Sequence, residues 1–402
     1  MIFGIIAEYN PFHLGHKYQI NEIKKNKNAQ IVIIMSGDFV QRGECSVLDK
    51  YERAKTAVKN GADLIIELPY YFSLQSAEIF ANGAIKILNE INIIDRLSFG
   101  FECKEEKLLS DIANFQIEFK DEIDKLINTQ MKNGNSYAVA YKNACLEVSK
   151  KYKKIRIDDD FFISNNILSI EYIKNLIKTK SKILPYPIKR TGQSYNSEDY
   201  HSDKQLSASA IRKAIFENKF NLIDKSLDKH TVYCIENAIK QKILPDEKKI
   251  MQILKYKLLQ DTEVYENIVN YENGFFNLLK NNAFDCESVE QLAEKIQSKR
   301  YKKVRIKRFI YNYLLNVGQE EKSLFDKKAE YIKVLAFNDT GRELLKKIKE
   351  NSDIKIISKS KDYKKLSENG KKIFKLEEKS RKTYKLFTNQ NQNEKFNYLF
   401  VK

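Results

Sequence analysis

The chain has 402 residues, with 71 Lys and Arg against 54 Asp and Glu, a formal net charge of +17. That length is ample for a sizeable core and two or three domains. Five scattered cysteines without disulfide or metal-ligand spacing exclude a stapled secreted module and a cysteine-based zinc site, and no run approaches the roughly 18 apolar residues of a membrane span. A cytoplasmic protein is expected. The positive excess points to a polyanionic partner, nucleic acid first, although a Lys-, Asn- and Ile-rich composition gives the same excess.

The first apolar run, Met1–Ile6, reads as a buried strand. It leads through Ala7, Glu8, Tyr9, Asn10, Pro11 and Phe12 to His13-Leu14-Gly15-His16, and then to Lys17, Tyr18, Gln19 and Ile20 at helical spacing. A helix therefore begins near the two histidines. Its free N–H groups and positive dipole end suit a phosphate, and two imidazoles one turn apart can add donors. Gly15 lets a ligand approach the backbone. Two of only four histidines lie here. The chemistry this suits is attack on a nucleotide α-phosphate.

Further strands are expected at 29–35, 62–68 and 96–101, with helices at 49–60 and 75–89 between them. Strands alternating with helices predict an α/β, Rossmann-like parallel sheet, with ligands beyond the carboxyl ends of its strands. Residues 7–16, the two-glycine loop Ser36–Glu44 and Gly100 all fall at that edge; the loop reads as mobile and substrate-contacting. Residues 104–160 read as a helical insertion. Ser164 or Asn165 is a natural N-cap for the next helix. The run 182–190, with two prolines, reads as an edge strand ending at Arg190, which is within reach of a phosphate. Thr191–Leu206 is a polar loop with Gly192 and His201. Ser207–Arg212 opens another helix, and Ser209 and Arg212 are possible phosphate contacts from its side.

From about residue 220 amphipathic helices take over, among them 247–259 and 289–296, with candidate strands at 331–337 and 353–357. The acid-free run Lys299–Arg308 is a candidate RNA contact. The last forty residues show weak periodicity. This divides the chain into a nucleotide-binding domain, 1–219, and a basic, mainly helical region, 220–402. No metal cluster is evident, so Mg²⁺ is expected to travel with phosphates.

The histidine motif after a first strand, with Ser-Ala-Ser-Ala-Ile-Arg at 207–212, resembles the HxGH nucleotidyltransferase superfamily. Residues 4–16, Met35–Glu44, Ser98-Phe99-Gly100 and Asn165–Leu168 are similar to the bacterial tRNA(Met) cytidine acetate ligase family. The likeness runs through the chain, more weakly at 305–308 and 337–345. It implies an ATP site formed by residues 7–20 with Gly100, Asn165 and Arg190, and His13 and His16 as the catalytic pair. It also implies acetate as second substrate and the wobble cytidine of elongator tRNA(Met) as acceptor. Ser164 and Ser169 stand where the family pattern has Pro and Gly. Phe101 replaces a small polar residue, an expected change on the adenine side. The residues alone leave two other readings open. One is an adenylyltransferase for a small phosphopantetheine- or nicotinamide-type acceptor, and the other is a non-catalytic RNA-binding protein with a relict nucleotide fold.

Overall fold

The computed structural model describes residues 1–190, 198–199, 206–260, 265–271, 274–299, 301–324, 327–391 and 398–402. The polar loop with Gly192 and His201 lies almost wholly outside the described residues. In chain order the elements are β1 (Ile2–Ala7), α1 (Leu14–Lys24), β2 (Gln30–Ser36), the short pair β3 (Phe39–Val40) and β4 (Glu44–Cys45), α2 (Lys50–Lys59), β5 (Leu64–Leu68), α3 (Tyr70–Ser73), α4 (Ala77–Ile91) and β6 (Arg96–Phe101). Then come α5 (Lys107–Glu118), α6 (Lys120–Lys132), α7 (Tyr137–Tyr152), α8 (Ser164–Lys178), β7 (Leu184–Lys189), α9 (Ala208–Phe216), α10 (Lys229–Lys240), α11 (Glu247–Gln260), α12 (Phe275–Ala283), α13 (Val289–Ile296) and α14 (Lys303–Leu314). The chain closes with β8 (Tyr331–Phe337), α15 (Asp339–Asn351), β9 (Lys355–Ile357), α16 (Glu368–Phe387) and β10 (Leu399–Phe400).

The main sheet runs β10-β8-β5-β2-β1-β6-β7, with β9 also on β8. Its central strands are continuous apolar runs because both faces are covered. Phe3, Ile5, Ile31, Ile33, Met35 and Ile65 pack on the side of α1 and α2. Val32, Ile34, Leu64, Ile66 and Leu68 pack on the other, with Phe80, Ala84 and Leu88 of α4. Alternation along each strand therefore divides one apolar run between two cores. Among the described residues, every pairing within the main sheet is parallel except β5 with β8.

That exception corrects the division at residue 219. β8 lies in the C-terminal region by sequence, yet it completes the sheet beside β5, and all seven of its residues are buried. The final forty residues also differ from expectation. They hold the 20-residue helix α16, whose buried face includes Ile373, Phe374, Tyr384 and Phe387. Its polar positions carry so many lysines that its apolar stripe is thin.

The turn from β8 into α15 is fixed by one residue. Asn338 caps α15 by accepting from the Gly341 N–H at 2.9 Å, and its amide donates to Asp63 at 3.0 Å. A Cβ on Gly341 would stand 2.0 Å from the Asp63 carbonyl oxygen. Gly341→Ala is expected to cost about 1–3 kcal/mol of stability by overpacking; urea denaturation measures it, and a midpoint equal to wild type contradicts the contact. No helix among the described residues is long and apolar enough to cross a membrane.

Candidate functional site

The site starts at the carboxyl end of β1. His13 is the N-cap of α1: its Nδ1 accepts from the Gly15 N–H at 3.0 Å. His16 answers, its Nδ1 accepting from the His13 N–H at 3.2 Å. This is a capping box made by two imidazoles instead of a hydroxyl and a carboxylate. The consequence is chemical. With both Nδ1 atoms accepting, each neutral ring carries its proton on Nε2. The rings stack at 3.8 Å, and Tyr9 meets His16 edge-on at 4.7 Å. Burial, then Arg190 and Arg212, lowers the His13 pKa to about 3. Burial, then His13 and Arg190, holds His16 well below its usual value. Both rings therefore stay neutral at physiological pH and offer N–H donors.

An open cleft lies against them. The ends of β1 and β6 supply Ala7, Glu8 and Gly100, α8 supplies Asn165 and Ser169, and α9 supplies Ser209 and Arg212. Arg190 follows β7, its backbone N–H bonded to the Phe101 carbonyl at 2.9 Å. A Cβ on Gly100 would stand 3.0 Å from Arg190 Cγ, so the glycine leaves the arginine its place. Glu102 stands 3.6 Å from Arg190 Nε and accepts a hydrogen bond from the Asn165 amide. Arg212 donates to the Asn10 carbonyl at 2.9 Å and pairs with Glu44 at 3.0 Å. Burial alone would raise the Glu44 pKa, but Arg212 and Lys307 take it down to about 2.

The cleft is thus a basic, donor-rich corner at one sheet edge, fit for a nucleotide's phosphates. Residues 1–398 match the family described as HIGH Nucleotidyl Transferase. A tRNA(Met) cytidine acetate ligase of Clostridium kluyveri is 36% identical over 408 residues, covering 100% of this chain and 97% of its own. Its counterpart from Clostridium novyi is 38% identical over 363 residues, covering 89% and 90%. The crystal structure of Thermotoga maritima TmcAL bound with alpha-thio ATP superposes with a TM-score of 0.87 at 26% identity, covering 100% of both chains. This chain belongs to the tRNA(Met) cytidine acetate ligase family of HIGH nucleotidyltransferases.

The family's expected ATP residues divide into three groups in the fold. Ala7, Glu8, Tyr9, Asn10, His13, His16, Gln19, Gly100, Asn165 and Arg190 converge on the cleft, with Ser209 and Arg212 opposite. Gly15 and Tyr18 line a neighbouring recess. Pro11, Phe12, Leu14, Lys17 and Ile20 do not line it. Phe12 and Ile20 are buried in the core, and Lys17 reaches away to Asp228 at 3.4 Å. These five belong to the motif because they shape the turn and helix.

Four further expectations need correction. The loop 36–44 is fastened rather than mobile: Phe39 and Val40 are buried, Arg308 Nε donates to the Gln41 carbonyl at 2.6 Å, and Lys307 pairs with Glu44 at 2.6 Å. Lys299–Arg308 is therefore no open RNA stripe, since Ile306 and Lys307 are buried and Lys303 pairs with Glu294 at 2.9 Å. The N-cap of α8 is Ile163, and Asn165 turns to Glu102 instead. Phe101 packs in the core away from the cleft, while Ser169 donates to the Gly100 carbonyl at 3.1 Å. Gln41 and Arg42, from the loop expected at this edge, also line the cleft, as do Phe80, Phe99, Leu168 and Tyr172, to which sequence reasoning gave no site role.

One mixed group, Glu52, His230 and Cys234, has metal-compatible spacing. Lys59 lies 3.5 Å from His230 Nδ1, where a metal-bound ring needs an acceptor. The Cys234 thiol instead donates to Glu52 at 3.4 Å. All five cysteines are free and buried.

Proposed function

We propose that this chain is an ATP-dependent ligase that activates acetate as acetyl-adenylate. It then transfers the acetyl group to the N4 amine of the wobble cytidine of elongator tRNA(Met), forming N4-acetylcytidine. The observation that carries the reading is the pair of Nε2–H donors facing the same cleft as Arg190, Ser209 and Arg212, in a chain whose relatives carry that activity as their name over nearly its full length.

Acetate does not acylate an amine unaided, because oxide is a poor leaving group. Attack of a carboxylate oxygen on the α-phosphorus breaks the bond to the bridging oxygen and releases pyrophosphate. Negative charge gathers on the phosphoryl oxygens, where neutral imidazole donors and arginines stabilise it most. His13 and His16 fill the first role. Arg190, Arg212 and Ser209 hold the phosphates, with residues 7–20, Gly100 and Asn165 around the nucleotide. Mg²⁺ arrives on the triphosphate. The wobble base reaches the cleft exposed from its loop. The sheet, completed by β8, bears the chemistry, and the helices α10–α14 supply the surface for the tRNA body. The reaction takes place in the cytoplasm, where the tRNA and reduced cysteines are found.

The test mixes the protein, ATP, labelled acetate and elongator tRNA(Met). Label in the tRNA and acetate-dependent pyrophosphate release are expected. Pyrophosphate release that needs no acetate indicates a small-molecule adenylyltransferase, and tRNA binding without ATP affinity indicates the relict.

A further inference from the structure

The cleft contains a group that the phosphates and acetate do not account for. Its charged lining is cationic, Arg42, Arg190 and Arg212, except for Glu8, the one carboxylate among the described residues that line it. A carboxylate repels both the triphosphate and acetate, so the reacting groups of the first step do not explain it. The second step has a different demand. The N4 amine of cytosine is a weak nucleophile that must lose a proton as its nitrogen becomes an amide.

We infer that Glu8 is the proton acceptor of the acyl-transfer step. This rests on the ligase reading above. The nitrogen lone pair attacks the acetyl carbonyl carbon, and the bond from that carbon to the phosphate oxygen breaks. AMP leaves with the electron pair, and the nitrogen's proton passes to the Glu8 carboxylate and then to water.

Glu8 is built for the role. The Gln41 N–H donates to its Oε1 at 2.6 Å, and among the described residues Oε2 makes no hydrogen bond. The carboxylate is therefore anchored by one oxygen, with the other left for substrate. Burial makes it a stronger base than a surface glutamate, against the opposing pull of the Gln41 N–H, Arg42 and Arg212. The groups around it are Arg42 and Glu44 from the β3–β4 hairpin, Arg212 from α9, and the two imidazoles of the α1 cap. Arg42 and Arg212 pull its pKa down, and Glu44 adds to its basicity.

The half-reactions separate the possibilities. Glu8→Gln retains the acceptor for the Gln41 N–H. Because Glu8 also lies beside the nucleotide, acetate-dependent ATP–pyrophosphate exchange is expected to fall too, but by less than transfer. Single-turnover transfer from preformed acetyl-adenylate to tRNA is expected to fall on the order of 10²–10⁴-fold. Wild-type transfer should rise with pH until the base is ionised, and the variant should lose that limb. Glu8→Asp should restore the limb at a reduced rate. Equal losses in exchange and transfer, or normal transfer in Glu8→Gln, would overturn the inference while leaving the ligase reading intact. Wild-type protein without acetate-dependent exchange overturns both.

Discussion

His16→Ala is expected to lower acetate-dependent ATP–pyrophosphate exchange by about 10²–10³-fold, the cost of removing one preorganised donor from a developing oxyanion. The folded protein should survive the change. The lost His16 Nδ1 leaves one N-terminal N–H of α1 without its acceptor, which costs about 1 kcal/mol. A comparable thermal midpoint with normal exchange would remove His16 from the chemistry. The two rings also set a pH dependence. Their native pKa values are depressed, His13 to about 3. kcat/KM for ATP, which reports free-enzyme groups, should therefore show no histidine limb near the ordinary imidazole value of about 6.5. The sign for stability is the opposite of a salt-bridged histidine. The unfolded chain takes up protons first, so the rings' contribution is full above about pH 6.5 and is lost as pH falls towards 3. A kcat/KM profile falling through 6.5 would mean that the rings are charged in the free protein.

The second large effect lies behind the cleft. Lys333 of β8 stands 3.1 Å from Glu67 of β5 and 3.6 Å from Glu377 of α16. Lys50 bridges Glu67 at 2.6 Å and Asp38 at 3.4 Å, and Arg381 completes the chain to Asp38 at 2.9 Å. The two lysines hold Glu67 ionised despite its burial, and burial with the charge of Glu67 pushes Glu377 up. Lys333→Met leaves two buried carboxylates short of a cation, and a loss of about 3–5 kcal/mol is expected. Adding Glu377→Gln should restore part of it. Urea denaturation of the two variants decides the matter; a single variant as stable as wild type would make the network irrelevant to folding.

Much of the nucleotide half was legible because its signals are local. Apolar runs of strand length and the histidine motif locate β1, β2, β5 and β6 and the helices α1, α2 and α4 within a few residues of their places. The meeting of the first turn, the loop 36–44 and Gly100 followed from the parallel-sheet rule that ligands gather at one edge, whereas Asn165 was placed there by the family resemblance. The rest depended on contacts distant in sequence. Nothing near Tyr331 indicates that β8 pairs with β5 in the opposite direction. Lys307 resembles every other lysine in its run until Glu44 and Glu290 are brought beside it. The apolar wall of Phe80, Phe99, Leu168 and Tyr172 was hidden among ordinary core positions. Glu8 was visible as part of a motif, but its isolation among cations is a property of the assembled cleft.

The late position of β8 bears on how the protein is made. β5 emerges from the ribosome early, and residues 69–330 follow before its neighbour exists. Through most of translation one edge of the growing sheet has unpaired backbone groups, a template for pairing with other nascent chains. A product released after residue 219 would keep that edge permanently. Completion of the sheet is thereby tied to near-complete synthesis.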